Sequence, residues 1–483
     1  MIKIIITCLV AAMLIVPENL FASIKLPAIV SSDMVLQRNT TITLWGWAEP
    51  NENISLSTSW LSDKMQAKAD KNGKWQFEIN TTNSKEPQTI SLSGNDSEVE
   101  LKNILFGEVW LCSGQSNMQQ PLKGYRGEPT FDGQMATAKA NNPMLRLFSV
   151  DRVGSKTPLQ DVEKYTGWQP ASPHNVNNFS AVAYFFGQQL QEILDVPVGM
   201  IHTSWGGSAV EAWISEEVIE NYQNVDLSDV DITKGTNHIP TALYNAMIHP
   251  LIPYTIKGAL WYQGESNRME PEKYKDLFPA MVKDWRDRWA VGDFPFYYVQ
   301  IAPFMYGNNY FFQEVDNSAF MREAQLECLD LIPNSGIAIT LDIGDDYSIH
   351  PPKKKKVADR LLFNALSKTY NFEAIDGASP FYKSHEVKDD AMFINFKNAE
   401  NGLYAFADLE NFEIAGENKV FYPAEAKIVN RNQVMVTNER VPNPVAVRYG
   451  WRNWVTGTLY DTNLLPASSF RTDDWEEASR FEE

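Results

Sequence analysis

From Ile104 to Tyr370, strand-like apolar runs alternate with segments of helical period, and this rhythm restricts the fold more than any other feature of the chain. ILFGEVWLC, PVGMIHTSW, IKGALWYQ, FYYVQIA and GIAITLDI read as strands. FSAVAYFFGQQLQEIL, TALYNAMIHPL, YKDLFPAMVKDWRDRW and VADRLLFNALSKTY read as helices. Strands joined through helical crossovers run parallel, so the order predicts an α/β fold: a parallel sheet covered by helices on both faces. Ligands of such sheets bind beyond the carboxyl ends of the strands.

Two regions of different texture flank this core. Between Ile24 and Asn103 the runs are short and alternating (TITLWGW, ISLSTSW, KWQFEIN), with a turn signal at Asp70 to Gly73. They predict a small antiparallel β-sandwich. From Ala374 to the end, MFINFK, LYAFADL, QVMVTN and PVAVRYGW predict a second β region. The expected division is therefore 24–103, 104–373 and 374–483. Residues 1–23 hold Lys3, an apolar stretch from Ile4 to Val16, and small residues at Ala22 and Ser23. That is the pattern of a secretory signal, which predicts export to the periplasm or the exterior and no membrane attachment after its removal.

Sixty-one acidic and 42 basic side chains give a net charge of −19, which argues against nucleic acid or an anionic membrane as a partner. Of three cysteines, Cys8 falls in the signal, and Cys112 and Cys328 are expected as free buried thiols. There is no His-Glu-x-x-His, no paired-cysteine spacing and no phosphate-binding glycine fingerprint, so neither metal nor cofactor is expected.

Three glycine-flanked serines follow strand-like runs: Ser116 in LCSGQSNMQ, Ser208 in TSWGGSAVEAW and Ser266 in WYQGESNR. A tight turn at a strand end suits a nucleophile, because it exposes the hydroxyl and aims nearby N–H groups at a developing oxyanion. A serine nucleophile needs a base. Among six histidines, His174 and His238 lie in polar loops, His385 in the C-terminal β region, and His202 and His249 read as structural. His350 stands in LDIGDDYSIHPP, after a strand and beside Asp342, Asp345 and Asp346, where a carboxylate can orient an imidazole. Trp205 and Trp261 lie next to the glycine turns, where aromatic rings can stack on sugar.

GEVWLCSGQSNMQQPL, WGGSAVEAW, WYQGESN and SIHP, in this order, resemble the sialate O-acetylesterase family, a branch of the SGNH hydrolases. LPAIVSSDMVLQ, REAQ at Arg322 to Gln325, and AVRYGWRNW extend the likeness over nearly the whole chain after residue 23. The resemblance implies a flavodoxin-like three-layer α/β/α sheet and removal of O-acetyl groups from sugars through an acetyl-serine. It implies Ser116 as nucleophile and His350 as base. Oxyanion donors would be the Ser116 N–H, a glycine N–H (Gly207 ahead of Gly206) and the Gln263 amide. Asn117, Trp205, Trp261, Glu265 and Arg322 would line the substrate. The position three residues before the histidine, an aspartate in many SGNH enzymes, is Tyr347 here; Asp346 is the nearest replacement, ahead of Asp345, Asp342 or a backbone carbonyl. Two other readings remain at this level: an acetyl xylan or other polysaccharide acetylesterase, and a non-catalytic carbohydrate-binding protein.

Overall fold

The structure is a computed structural model. It describes residues 24–223, 227–228, 230–306, 317–475 and 478–481. The secretory signal expected at 1–23 lies outside the described residues.

The seven strands of the central sheet run, edge to edge, Ser335–Ala338, Phe296–Val299, Gly258–Tyr262, Glu98–Gly114, Val198–Ser204, Asn142–Val150 and Gln169–Ala171. All neighbours pair in parallel except the last two, which are antiparallel. Alternate side chains go to opposite faces, as the pleat requires. Trp110, Cys112, Met200 and Tyr297 share one apolar cluster with the helices Ala181–Leu194 and Lys354–Lys368. Val109, Leu111, Ile201 and Phe296 share the other with the helix Pro271–Trp289, which packs beside Asn317–Leu331. The result is the three-layer α/β/α architecture, with antiparallel β regions on either side of it in sequence. Cys112 and Cys328 are free and buried.

The change of texture at Ile104 falls inside a single strand of 17 residues, Glu98–Gly114. Up to Ile104 it pairs antiparallel with Gln88–Ser93 in the N-terminal sheet, and its burial is patchy. From Leu105 it pairs in parallel, first with Val35–Gln37 and then with Val198–Ser204, and every residue is buried. A strand covered on both faces reads as a continuous apolar run, and that is what ILFGEVWLC records. The segment TALYNAMIHPL differs from its expected α-helix: it forms a π turn over Tyr244–Ile248 and a 3₁₀ turn over His249–Leu251. Pro250 has no N–H for a regular helix to use, and it stands where the turn tightens.

The C-terminal region contains a four-stranded sheet centred on Ala391–Lys397 and Gln433–Thr437, and a five-stranded sheet centred on Phe412–Ala415. It is bolted to the α/β core by Arg322. This fully buried guanidinium donates to the carbonyls of Gly450 (2.9 Å) and Arg452 (2.6 Å) and to Ser469 Oγ (3.1 Å).

Candidate active site

Three strands of the central sheet end side by side, and each delivers one glycine turn. Gly114 ends the first at φ +136°; a Cβ there would lie 2.2 Å from the Tyr262 carbonyl oxygen, so only glycine lets the first and third turns meet. Ser116 opens a one-turn helix, Ser116–Gln119, and stays half-buried while Asn117 and Met118 go into the interior. The second turn docks on it, through Trp205 N–H to Gly114 O at 3.0 Å and Gly206 N–H to Gln119 Oε1 at 2.9 Å. Gly206 therefore has its N–H engaged. The N–H groups of Ser116 and Gly207 take no partner among the described residues.

His350 is brought to the same place from the loop after Ser335–Ala338. Its ring meets Tyr125 edge-on at 5.2 Å, and the Tyr125 hydroxyl donates to the Ser116 carbonyl at 3.1 Å. From the other side, Asn117 Nδ2 donates to the carbonyl of Ile349 at 3.0 Å. The serine and histidine turns are thus held together at two points. Burial pulls the imidazole below its ordinary pKa, against the charge of a neighbouring carboxylate, which favours the free base that accepts a proton.

That carboxylate is Glu128, not Asp346. Glu128 Oε2 lies 2.9 Å from His350 Nδ1. Its other oxygen accepts from Ser348 Oγ at 2.9 Å, and Ser348 in turn accepts the His350 N–H at 3.0 Å. The three aspartates of the histidine loop have other places. Asp342 forms a two-pronged ion pair with Arg360 at 2.8 and 2.7 Å. Asp345 accepts the N–H groups of Tyr347 and Ser348. Asp346 has no hydrogen-bond partner among the described residues, and Tyr347 next to it is 93% exposed. The sequence signal for Glu128 was a turn just downstream of the serine motif. In GYRGEP, Gly124 and Gly127 take φ +78° and +82°, and Tyr125 and Glu128 exchange backbone hydrogen bonds.

Other expected contacts fall differently. Gln263 is fully buried and has both amide protons engaged, with Ser208 O at 3.0 Å and Asn267 Oδ1 at 2.7 Å. Asn267 Oδ1 also accepts from Val210 N–H, which fixes that oxygen as an acceptor and leaves Gln263 no proton for an oxyanion. Trp261 is sealed between Trp213, Trp285 and Phe278, so it is core and cannot stack on sugar. Arg322, described above, is the bolt to the C-terminal region. Asn117 and Glu265 lie behind the serine, bonded to each other at 2.6 Å and buried away from any ligand. Ser208 is buried and accepts from Trp213 Nε1. Trp205 is half-exposed at the turn.

Beside this cluster opens a cavity of about 790 Å³, within the usual range for small-molecule sites. Gln119, Tyr125, His202 and Ser204 form its inner wall, with His202 Nε2 at 2.5 Å from Ser204 Oγ. Its rim carries Lys123, Arg126, Arg152 and Lys164 against Asp151 and Glu163. No cluster of three or more His, Cys, Asp or Glu side chains suited to a metal ion occurs among the described residues.

Residues 106–354 match the carbohydrate esterase family of sialic acid-specific acetylesterases. The protein belongs to this family. The esterase is similar over 91% of its length to the sialate O-acetylesterases of Mus musculus and Homo sapiens, at 26% identity, and covers 93% and 91% of those chains. Among solved structures, a carbohydrate acetylesterase from Xanthomonas citri superposes with a TM-score of 0.85 at 34% identity, covering 94% of this esterase and 100% of that chain.

Proposed function

We propose that this carbohydrate esterase hydrolyses O-acetyl esters of sugars with Ser116 as nucleophile, His350 as base and Glu128 as the carboxylate that orients it. The Glu128–His350–Tyr125–Ser116 chain of contacts carries this reading. His350 Nε2 takes the Ser116 hydroxyl proton as Oγ attacks the acetyl carbonyl. The oxyanion is held by the free N–H groups of Ser116 and Gly207. As the tetrahedral species collapses, His350 hands its proton to the departing sugar oxygen, leaving acetyl-Ser116. Water, deprotonated by His350, attacks the acetyl carbon. Acetate leaves and the proton returns to Ser116. Glu128 orients the ring and stabilises the imidazolium in both halves.

The substrate we propose is an O-acetylated sialic acid. Its carboxylate matches a rim of four cations and two anions, standing out on a chain of net charge −19. The Arg126 and Arg152 guanidiniums form no ion pair among the described residues. The acetylated xylose units of xylan carry no charge and have no use for them. The test is acetate release from 9-O-acetyl sialic acid, acetylated xylan and acetylated glucosamine at matched ester concentration. The sialate is expected to be hydrolysed fastest; a preference for xylan would replace this reading, and no hydrolysis would favour a carbohydrate-binding protein.

We also propose that the chain acts outside the cytoplasm, on the pattern of residues 1–23. No helix among the described residues is long and apolar enough to cross a membrane. The two β regions, 24–103 and 374–483, are proposed to brace the catalytic sheet. The shared strand Glu98–Gly114 and the Arg322 bolt support that role.

A further inference from the structure

Behind Ser116 lies a buried polar chain that acyl transfer does not use. Asn117 is 1% exposed, Glu265 3% and Lys354 0%. Asn117 Nδ2 donates to Glu265 Oε1 at 2.6 Å and to the Ile349 carbonyl at 3.0 Å, and its Oδ1 accepts from Lys354 Nζ. One amide thus joins the serine turn, the turn after Gly258–Tyr262 and the histidine loop.

Lys354 is a costly residue to keep there. It is the first residue of the helix Lys354–Lys368, the end where a cation opposes the helix dipole, and its ammonium is fully buried. The groups facing it are the carboxylate of Glu265 from one turn, the carboxylate of Glu128 from the loop after the nucleophile, and the ring of Tyr262 at 5.7 Å. Those facing His350 are Glu128, Tyr125 and, through space, Lys354. Burial pushes Lys354 down to about 7 while both carboxylates hold it up. Burial likewise raises Glu265. The charge of Lys354 also opposes protonation of His350, after burial of the ring and against the pull of Glu128.

We propose that Lys354 is a positioning residue of the esterase: through Asn117 it clamps the nucleophile turn to the histidine loop. This rests on the reading of Ser116 and His350 as nucleophile and base.

Lys354→Gln keeps a donor for Asn117 Oδ1 and removes the charge. The acid limb of kcat/KM is expected to move to higher pH, on the order of half a unit for the loss of one well-screened positive charge. KM on the plateau should change less than about twofold while kcat falls several-fold, the split expected when only the transition state loses support. The double variant K354Q/E265Q leaves no unpaired buried charge; it guards against misfolding of the single variant and should show an upward shift that is smaller, because an anion is removed with the cation. An acid limb that stays in place in either folded variant, or an activity loss that only follows the melting temperature, overturns the proposal. Failure of both variants to fold also overturns it, by assigning Lys354 to stability alone. Activity surviving in Ser116→Ala would reject the underlying nucleophile assignment instead, whereas an unmoved limb with an inactive Ser116→Ala rejects only the role of Lys354.

Discussion

Replacing Glu128 by glutamine tests a partner of the histidine that lies 222 residues from it in sequence. Both carboxylate oxygens act as acceptors, one from His350 Nδ1–H and one from Ser348 Oγ. Glutamine offers one acceptor and one donor. Ser348 can turn its hydroxyl and accept from the amide, so the carbonyl oxygen is free to face Nδ1 and the ring keeps its tautomer. What is lost is the charge. A hydrogen bond to an ionised partner contributes about 1.5–3 kcal/mol, and each 1.4 kcal/mol is tenfold, so kcat should fall by about 10- to 100-fold. KM should stay within about twofold, because Glu128 touches His350 and not the sugar. The pH profile supplies an independent sign. Glu128 raises the proton affinity of His350, so its removal should move the acid limb of kcat/KM to lower pH. The assay is release of p-nitrophenol from p-nitrophenyl acetate between pH 4 and 8 (roughly the span of histidine titration). If Glu128→Gln keeps near-full activity and Asp346→Asn is crippled, the orienting carboxylate has been misassigned.

Other outcomes follow from the same geometry. Gln263→Leu removes two buried hydrogen bonds of the turns, so the melting temperature should drop by a few degrees while kcat below melting falls only a few-fold, as differential scanning fluorimetry and kinetics would report. A loss of about 10²–10³ in kcat in a stable protein would put Gln263 back among the oxyanion donors. Arg126→Ala and Arg152→Ala should lower kcat/KM for 9-O-acetyl sialate several-fold and leave p-nitrophenyl acetate unaffected, and the wild-type preference should weaken with added salt. Equal loss on both esters would deny these arginines a role in specificity. Trp261→Phe should cost stability and leave KM for any sugar ester unchanged in steady-state assays.

Much of this molecule was legible in its residues. The βαβ alternation carried the sheet, and the four motifs in their order carried the family. The limits have physical causes. A motif at a strand end says that a residue sits on a turn, but not where its side chain points. Asn117, Gln263 and Glu265 occupy the expected turns, Trp261 ends a strand beside one, and all four aim inward, because packing and pairing claim them. Arg322 sits in a familial block whose purpose is to hold the C-terminal region. Glu128 is not legible as the acid because it lies 222 residues from His350, whose own loop holds three aspartates. Folding supplied the partner from the nucleophile's own side, and the GYRGEP turn was its local trace.

The most direct measurement is to trap the acyl-enzyme. Turnover of p-nitrophenyl acetate, quenched in acid and followed by peptide mass spectrometry, should give an acetyl group on the hydroxyl of Ser116. The adduct should be absent in Ser116→Ala, which is expected to fold and to have lost its activity. An acetyl group on Ser208 or Ser266 instead, or undiminished hydrolysis by Ser116→Ala, would contradict acyl transfer through Ser116.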